Sequence, residues 1–206
     1  MNLKKEFISD IEEYKIFKEL IDDCVYINNM LPNQVFNKRY TKYLFNNFYR
    51  VLSEEFGDEI KILADKTNDD MIILAVIDPD PISYYYHYFK YTNWLKLSTK
   101  LTSKDYLELL EQVPEGGNEA DSIFFYSNNL IMAPLSQKWV IWLDREYDVC
   151  IIAYKDKFIG DIVNLELDNW ESIDDTVDQL LLPCYEDIER LNIEKKEFCK
   201  NYTNNK

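Results

Sequence analysis

Histidine and cysteine, which proteins often use to bind metals or to act as nucleophiles, are sparse in this 206-residue chain. His87 is the only histidine, and it lies within a run of tyrosines and phenylalanines. A histidine-rich zinc site is therefore excluded, and a Ser-His-Asp triad would have to use His87 as its base. The aromatic surroundings favour a structural or surface role for His87. The sequence contains no P-loop, dinucleotide fingerprint or EF-hand loop.

Carboxylates are the remaining candidates for acid–base chemistry or for holding a divalent cation. The best-placed pair is Asp78-x-Asp80, which follows a predicted strand. Pro79 and Pro81 also explain this stretch as a turn, because proline ends strand pairing. With 38 acidic residues in the chain, close carboxylate pairs also arise from composition alone. We therefore predict no catalytic residue, metal or cofactor, and we keep a carboxylate-based or cation-dependent enzyme as an alternative.

The four cysteines, Cys24, Cys150, Cys184 and Cys199, show no CxxC spacing. The first residues, MNLKKEFISDIEEYK, are charged and contain no apolar signal segment. No apolar run approaches the roughly 20 residues that a membrane span needs. These features predict reduced thiols in a cytoplasmic protein.

The formal net charge is -15, from 38 acidic and 23 basic residues. An acidic surface repels nucleic acid and anionic lipid, and it attracts a basic protein. The charge therefore predicts a basic protein partner, with no direct nucleic-acid binding and no membrane association. Two alternatives stay open: the charge serves solubility alone, or the carboxylates mimic the phosphates of a nucleic acid. Composition determines neither the partner nor the oligomeric state.

The strongest structural pattern is a hairpin in the segment Lys138–Tyr154. Two apolar runs, Trp139–Leu143 and Val149–Ala153, flank a charged segment. Since both runs are apolar at consecutive positions, both faces of the strands should be covered, and the hairpin should be central in a sheet. At its tip, Asp144, Arg145 and Glu146 form either a solvated turn or a recognition loop on a rigid sheet.

The other elements follow from periodicity, capping residues and turn residues. Helices are predicted over 3–24; over 34–56, ended by Gly57; over 102–112, with a Thr102/Asp105 capping box; from an Asp168/Glu171 capping box to Pro183; and over 185–200. Further strands are predicted at Glu59–Asp65, Met71–Asp78, Ser122–Ser127 and Phe158–Gly160, with an irregular connection over 128–137.

This order of elements predicts an α+β fold, with a mainly antiparallel sheet and with N-terminal and C-terminal helices packed against it. We expect a single domain over residues 1–206. Helical parts of about 1–57 and 161–206 would flank a sheet-forming part of about 58–160.

The aromatic stretch 82–94, ISYYYHYFKYTNW, is predicted to be a strand. Tyr84, Tyr86 and Tyr88 would then alternate onto one face. Tyrosine is enriched at the centres of protein interfaces, so these three are our candidates for partner binding. Packing of the tyrosines against the helices is the alternative. Asp144 and Glu146 are the candidates for speeding the encounter with a basic partner.

The segment Trp139–Glu146, WVIWLDRE, followed by the apolar run Val149–Ala153, resembles a pattern in some bacterial immunity proteins of polymorphic or contact-dependent toxin systems. In those proteins a strand with W-x-I/V-x-x-D-R-E precedes another apolar strand, and SIFFYSNN in this chain is similar to the strand before it. The resemblance covers about a fifth of the chain. It implies a non-enzymatic cytosolic protein that binds a cognate toxin, and the acidic charge would suit a basic nuclease toxin.

Overall fold

The computed structural model describes residues 3–155, 159, 161–162, 167, 170–181 and 188–204. Within these residues, six antiparallel strands form a sheet with the order β1-β6-β5-β4-β2-β3. They are β1 (Lys42–Asn47), β2 (Met71–Asp78), β3 (Trp94–Ser98), β4 (Asn129–Pro134), β5 (Trp139–Asp144) and β6 (Val149–Tyr154). Helices from both ends of the chain pack on this sheet, so the predicted α+β class is confirmed.

Strands β5 and β6 form the predicted hairpin and lie inside the sheet, because β4 pairs with the outer side of β5 and β1 with that of β6. Trp139, Ile141, Val149 and Ile151 are each at most 1% exposed. Neighbouring residues along each strand belong to two apolar clusters on opposite faces of the sheet. This two-sided burial explains why both strands are apolar at consecutive positions.

Helices cover both faces of the sheet. The helices nearest the two chain ends pack on one face: Ile11–Cys24, Ile173–Leu181 and Ile188–Tyr202. Two helices from the middle of the chain pack on the other face: Glu54–Thr67 and Ser103–Leu110. The predicted Thr102/Asp105 capping box is present at the start of the second of these.

The predicted helix over 34–56 and the predicted strand Glu59–Asp65 are wrong. Lys42–Asn47 is the edge strand β1, paired along its length with β6, and Phe48–Leu52 is a 3-10 helix. A new helix then begins at Glu54, where the Ser53 hydroxyl accepts a hydrogen bond from the Phe56 N–H. The aromatic spacing in 36–52 fits a helix, but the long-range pairing with β6 determines the structure.

Gly57 does not end a helix; it lies inside the helix Glu54–Thr67, whose C-cap residue, Asn68, has the left-handed conformation (φ 60°). A Cβ at position 57 would lie 3.1 Å from the Tyr106 ring and 3.2 Å from the Ser103 Cα. Glycine therefore favours the close approach of the helix Ser103–Leu110, a contact between residues far apart in sequence.

The predicted strands over 82–94 and Ser122–Ser127 are also wrong. Pro81–Tyr86 and His87–Phe89 form consecutive helical segments, and only Trp94 from this stretch enters a strand, β3. The Asp80 carboxylate caps this segment by accepting hydrogen bonds from the Ile82 and Ser83 N–H groups at 3.0 and 2.7 Å. Ile123–Tyr126 is a single helical turn, and strand β4 occupies the region predicted to be irregular.

The remaining predicted elements are confirmed, corrected at their boundaries, or outside the described residues. Strand Met71–Asp78 is confirmed. The first helix begins at Ile11 with Asp10 as its cap, and a 3-10 helix, Leu3–Glu6, precedes it. Asp168, Pro183 and Cys184 lie outside the described residues, as do Phe158 and Gly160. Ile159, between the last two, is helical and not part of the predicted strand end.

The C-terminal helix is held by Tyr202, which is completely buried. Its hydroxyl donates a hydrogen bond to the Asn33 carbonyl at 2.5 Å and accepts one from the Val35 N–H at 3.1 Å. Beyond this helix, the Asn204 side chain accepts a hydrogen bond from the Tyr43 N–H and donates one to the Tyr43 carbonyl, on the edge strand β1. The end of the chain therefore protects one edge of the sheet.

Replacing Tyr202 with phenylalanine should lower the free energy of unfolding by about 1–3 kcal/mol, because the buried Val35 N–H loses its acceptor. Urea unfolding followed by circular dichroism would measure the change. Tyr26→Phe is the matched control, since Tyr26 is 41% exposed and its hydroxyl accepts only a 3.4 Å hydrogen bond from the Lys38 N–H. Equal unfolding midpoints for the two variants would contradict the prediction.

Candidate functional site

The antiparallel strand order brings several distant segments to one end of the sheet. Strands β1, β2 and β5 finish at this end, and β3, β4 and β6 begin there. Backbone hydrogen bonds join the segments: the Asn128 N–H donates to the Asp78 carbonyl at 2.8 Å, and the Arg145 N–H donates to the Asn128 carbonyl at 2.9 Å. The tyrosines after β2 and the β5–β6 turn, which were predicted separately as binding residues, therefore lie at the same end.

An exposed aromatic surface is the main feature here. The Tyr84 ring contacts the Tyr88 ring, with centroids 5.1 Å apart, and the Tyr126 ring, with centroids 5.3 Å apart. Tyr88 is 64% exposed, Tyr126 is 40% exposed, and the adjacent Phe125 is 59% exposed. We call Tyr84, Tyr88 and Tyr126, which these ring contacts join, the tyrosine patch.

The predicted alternation of Tyr84, Tyr86 and Tyr88 on one strand face is wrong, because the segment is helical. Residues four apart share a helix face, so Tyr84 and Tyr88 lie together while the half-buried Tyr86 is directed elsewhere. Tyr126, which the sequence placed in a strand, completes the surface. Its exposure could not be read from an apolar run that fits a buried strand equally well.

Asp121 fixes the position of Tyr84 in the patch. This carboxylate is only 7% exposed; it accepts a hydrogen bond from the Tyr84 hydroxyl at 2.6 Å and another from the Asn118 N–H at 2.8 Å. The hydrogen bond to Asp121, with burial as the second cause, raises the pKa of Tyr84 to about 12. The Asp121 carbonyl also accepts from the Tyr85 hydroxyl at 2.6 Å. Asp121 was not predicted as a site residue from the sequence. The available signal was the three-residue spacing of Asn118 and Asp121, which is typical of a capping box.

Arg145 connects the β5–β6 turn to the turn that carries Phe125 and Tyr126. Its Nε donates to the Ser127 carbonyl at 2.7 Å, and its Nη2 donates to the Phe124 carbonyl at 2.8 Å. The guanidinium also lies over the rings of Phe48 and Tyr49, 4.7 and 6.0 Å from their centroids. This predicted binding residue therefore makes several contacts within the chain that position the patch.

Asp144 is not at the exposed tip of the hairpin, contrary to prediction. It is the last residue of β5, it is 2% exposed, and its carboxylate accepts hydrogen bonds from the Asn129 side chain and the Tyr147 N–H at 2.8 and 3.1 Å. Burial raises the pKa of Asp144 above its ordinary value, although these hydrogen bonds oppose the shift. Of the predicted steering residues, only Glu146 is exposed.

A surface cleft of about 370 Å³ lies beside the turn and is lined by Met30, Asp78, Asn128, Asn129, Asp144, Arg145 and Glu146. Asp78 accepts a hydrogen bond from the Asn128 side chain at 2.7 Å, whereas Asp80 caps the aromatic segment. Burial acts to raise the pKa of Asp80, but hydrogen bonds from Ser83 and Ile82 outweigh it and lower that pKa. The structure therefore gives the predicted carboxylate pair two separate roles.

The metal-binding and nucleophilic residue types are dispersed. Within the described ranges, no group of three or more histidine, cysteine, aspartate or glutamate residues is arranged to hold a metal ion. His87 is exposed beside Tyr88, with ring centroids 5.0 Å apart. Cys24, Cys150 and Cys199 are free, and burial raises the pKa of each thiol.

Comparisons of the chain with protein-family models, with curated proteins and with solved structures find no match. In the part of the chain that the structure describes, none of the helices has the length and apolar content to cross a membrane. A functional proposal for this chain therefore rests on the tyrosine patch and on the two residues that position it, Asp121 and Arg145.

Proposed function

We propose that this protein is a non-enzymatic protein-binding module that docks through the tyrosine patch. The observation that carries the proposal is a set of exposed aromatic rings on a support fixed by hydrogen bonds. Tyrosine side chains are frequent at the energetic centres of interfaces, because they bury a large area at a small cost in side-chain entropy. Holding the rings in place before binding reduces this cost further.

Charge supports a basic partner. The chain carries a net charge of -15, and Asp78, Asp80 and Glu146 are exposed at the end of the sheet that bears the patch. Such a surface accelerates encounters with positively charged proteins and disfavours nucleic acid and anionic lipid. The acidic residues would act on the association rate, while the aromatic rings would act on the lifetime of the complex.

We further propose that the partner is a toxin and that the protein acts in the cytoplasm as an immunity protein. This part rests on the resemblance of the segment Trp139–Ala153 to immunity proteins. Most of that segment is buried in β5 and β6. In this proposal the segment supports the binding surface, and the toxin contacts the neighbouring patch.

Affinity capture from lysate of the source cells would test the proposed function. The variant Tyr88→Ser/Tyr126→Ser removes two exposed rings of the patch and should recover at least about tenfold less partner than the unmodified protein, because hot-spot residues dominate affinity. The matched control is Ile16→Ser/Ile193→Ser, which removes apolar side chains that are 64% and 58% exposed on two other helices.

Recovery of the same protein by the unmodified chain and the control, with loss in the patch variant, supports the proposal. Equal recovery by the patch variant, or recovery of no protein partner, contradicts it. If the captured protein is encoded beside this chain and is toxic when expressed alone, the immunity role is supported as well.

A further inference from the structure

We infer that the tyrosine patch recognises an arginine side chain on the surface of the partner, which would stack on the exposed rings. This inference rests on the proposed function, and it specifies the chemistry that the binding surface selects. The occupant is an arginine-bearing segment of a basic protein, since the chain carries a net charge of -15.

The hydrogen bond between Tyr84 and Asp121 favours the binding of a cation over the Tyr84 ring. Its hydroxyl donates a 2.6 Å hydrogen bond to a buried carboxylate, Asp121. A hydrogen bond to an ionised acceptor is stronger than one between neutral groups, and it moves electron density from the O–H bond onto the phenol oxygen and ring. The ring face is then more negative than that of an isolated tyrosine, so a cation placed over it is held more strongly.

The geometry of the rings favours a flat cation over a compact one. Tyr84 is in direct contact with Tyr88 and Tyr126, with interplanar angles of 52° and 46°. The centroid separations of 5.1 and 5.3 Å are ring-contact distances, so neither pair has room for an ammonium group between its two rings. A planar guanidinium can lie on their outer faces and keep its edge N–H groups directed at solvent or at partner carbonyls.

The same end of the sheet already contains an interaction of this kind. The Arg145 guanidinium lies over the Phe48 and Tyr49 rings while its N–H groups donate to two backbone carbonyls. Tyr49 is 56% exposed beside it. An incoming arginine on Tyr84 and Tyr88 would repeat this arrangement across an interface.

The test uses two acetylated and amidated peptides, one of six arginines and one of six lysines, which carry the same charge. Each is titrated into the full chain labelled with ¹³C in its tyrosine rings, at constant ionic strength. We expect the arginine peptide to bind at least about threefold more tightly and to shift the signals of Tyr84, Tyr88 and Tyr126. Tyr26, exposed elsewhere, is the internal reference.

Two variants link the preference to the patch. Tyr88→Leu removes an exposed ring and should abolish the difference between the peptides. Tyr84→Phe keeps the ring, loses the hydrogen bond to Asp121 and should bind the arginine peptide about twofold more weakly. Equal affinity for the two peptides, patch signals that shift no more than Tyr26, or an arginine preference unchanged in both variants would overturn the inference.

The outcome separates this inference from the proposed function. If the peptides show no arginine preference but partner capture still depends on the patch, only the arginine inference fails. If the arginine peptide binds as expected but capture does not depend on the patch, the proposed protein-binding function fails.

Discussion

Replacing Trp139 with alanine should lower the free energy of unfolding by about 3–5 kcal/mol. Trp139 is completely buried in β5, opposite Tyr154 of β6, and it belongs to the apolar cluster beneath the helix Glu54–Thr67. Alanine would remove a large indole from a close-packed site, and two paired strands and a helix layer limit how far the surroundings can collapse into the space.

Trp139→Phe should cost much less than Trp139→Ala. Phenylalanine keeps most of the ring contacts, and it removes an indole N–H that has no hydrogen-bond partner among the described residues. Urea unfolding of both variants, with Phe125→Ala as an exposed control, would measure the difference in midpoint and slope. If Trp139→Ala unfolds at nearly the same urea concentration as the unmodified protein, the hairpin is not the centre of the core.

The hairpin was predictable because its signal is local and strong. A strand covered on both faces must be apolar at consecutive positions, and Trp139–Leu143 and Val149–Ala153 show that pattern on either side of a charged break. The capping box at Thr102 was predictable for the same reason, since Thr102 and Asp105 satisfy each other's backbone groups within a single turn.

The failures have a common physical cause. Strand β1 pairs with β6, more than 100 residues further along the chain, so nothing near Lys42–Asn47 distinguishes an edge strand from an amphipathic helix. Gly57 is explained only by the ring of Tyr106, which is distant in sequence. In the aromatic stretch, Asp80 is the helix cap and was the local signal for a helix. The signal was missed because Asp80 was interpreted as part of the turn after β2.

The candidate site could be predicted only in part. Tyr84, Tyr88, Arg145 and Glu146 were identified from residue type, and the structure brings the segments that carry them to one end of the sheet. These segments come together because of the order of the strands in the sheet, and no local sequence pattern predicts that order. Asp144 was misplaced because a carboxylate next to a turn is normally solvated, whereas here Asn129 and the Tyr147 N–H satisfy it inside the sheet.

The ion pair between Arg50 and Glu59 should have the second large effect on stability. The Glu59 side chain is 9% exposed and the Arg50 side chain 23% exposed, and the Trp170 Nε1–H also donates to Glu59 at 3.4 Å. These groups border the same apolar cluster as Trp139. Removing a buried charge's partner is more costly than removing the pair, because the remaining charge stays out of water without compensation.

We therefore expect Arg50→Met to lower the free energy of unfolding by about 3–5 kcal/mol. Glu59→Leu should cost less, since Arg50 is the more exposed partner and its long side chain can carry the guanidinium to solvent. The double variant Arg50→Met/Glu59→Leu should be more stable than Arg50→Met alone, because it leaves no unpaired charge in the core. Urea unfolding of all four proteins forms a double-mutant cycle that isolates the coupling between the two side chains. Strictly additive effects, with the double variant the least stable of the four, would show that Glu59 is adequately solvated without Arg50.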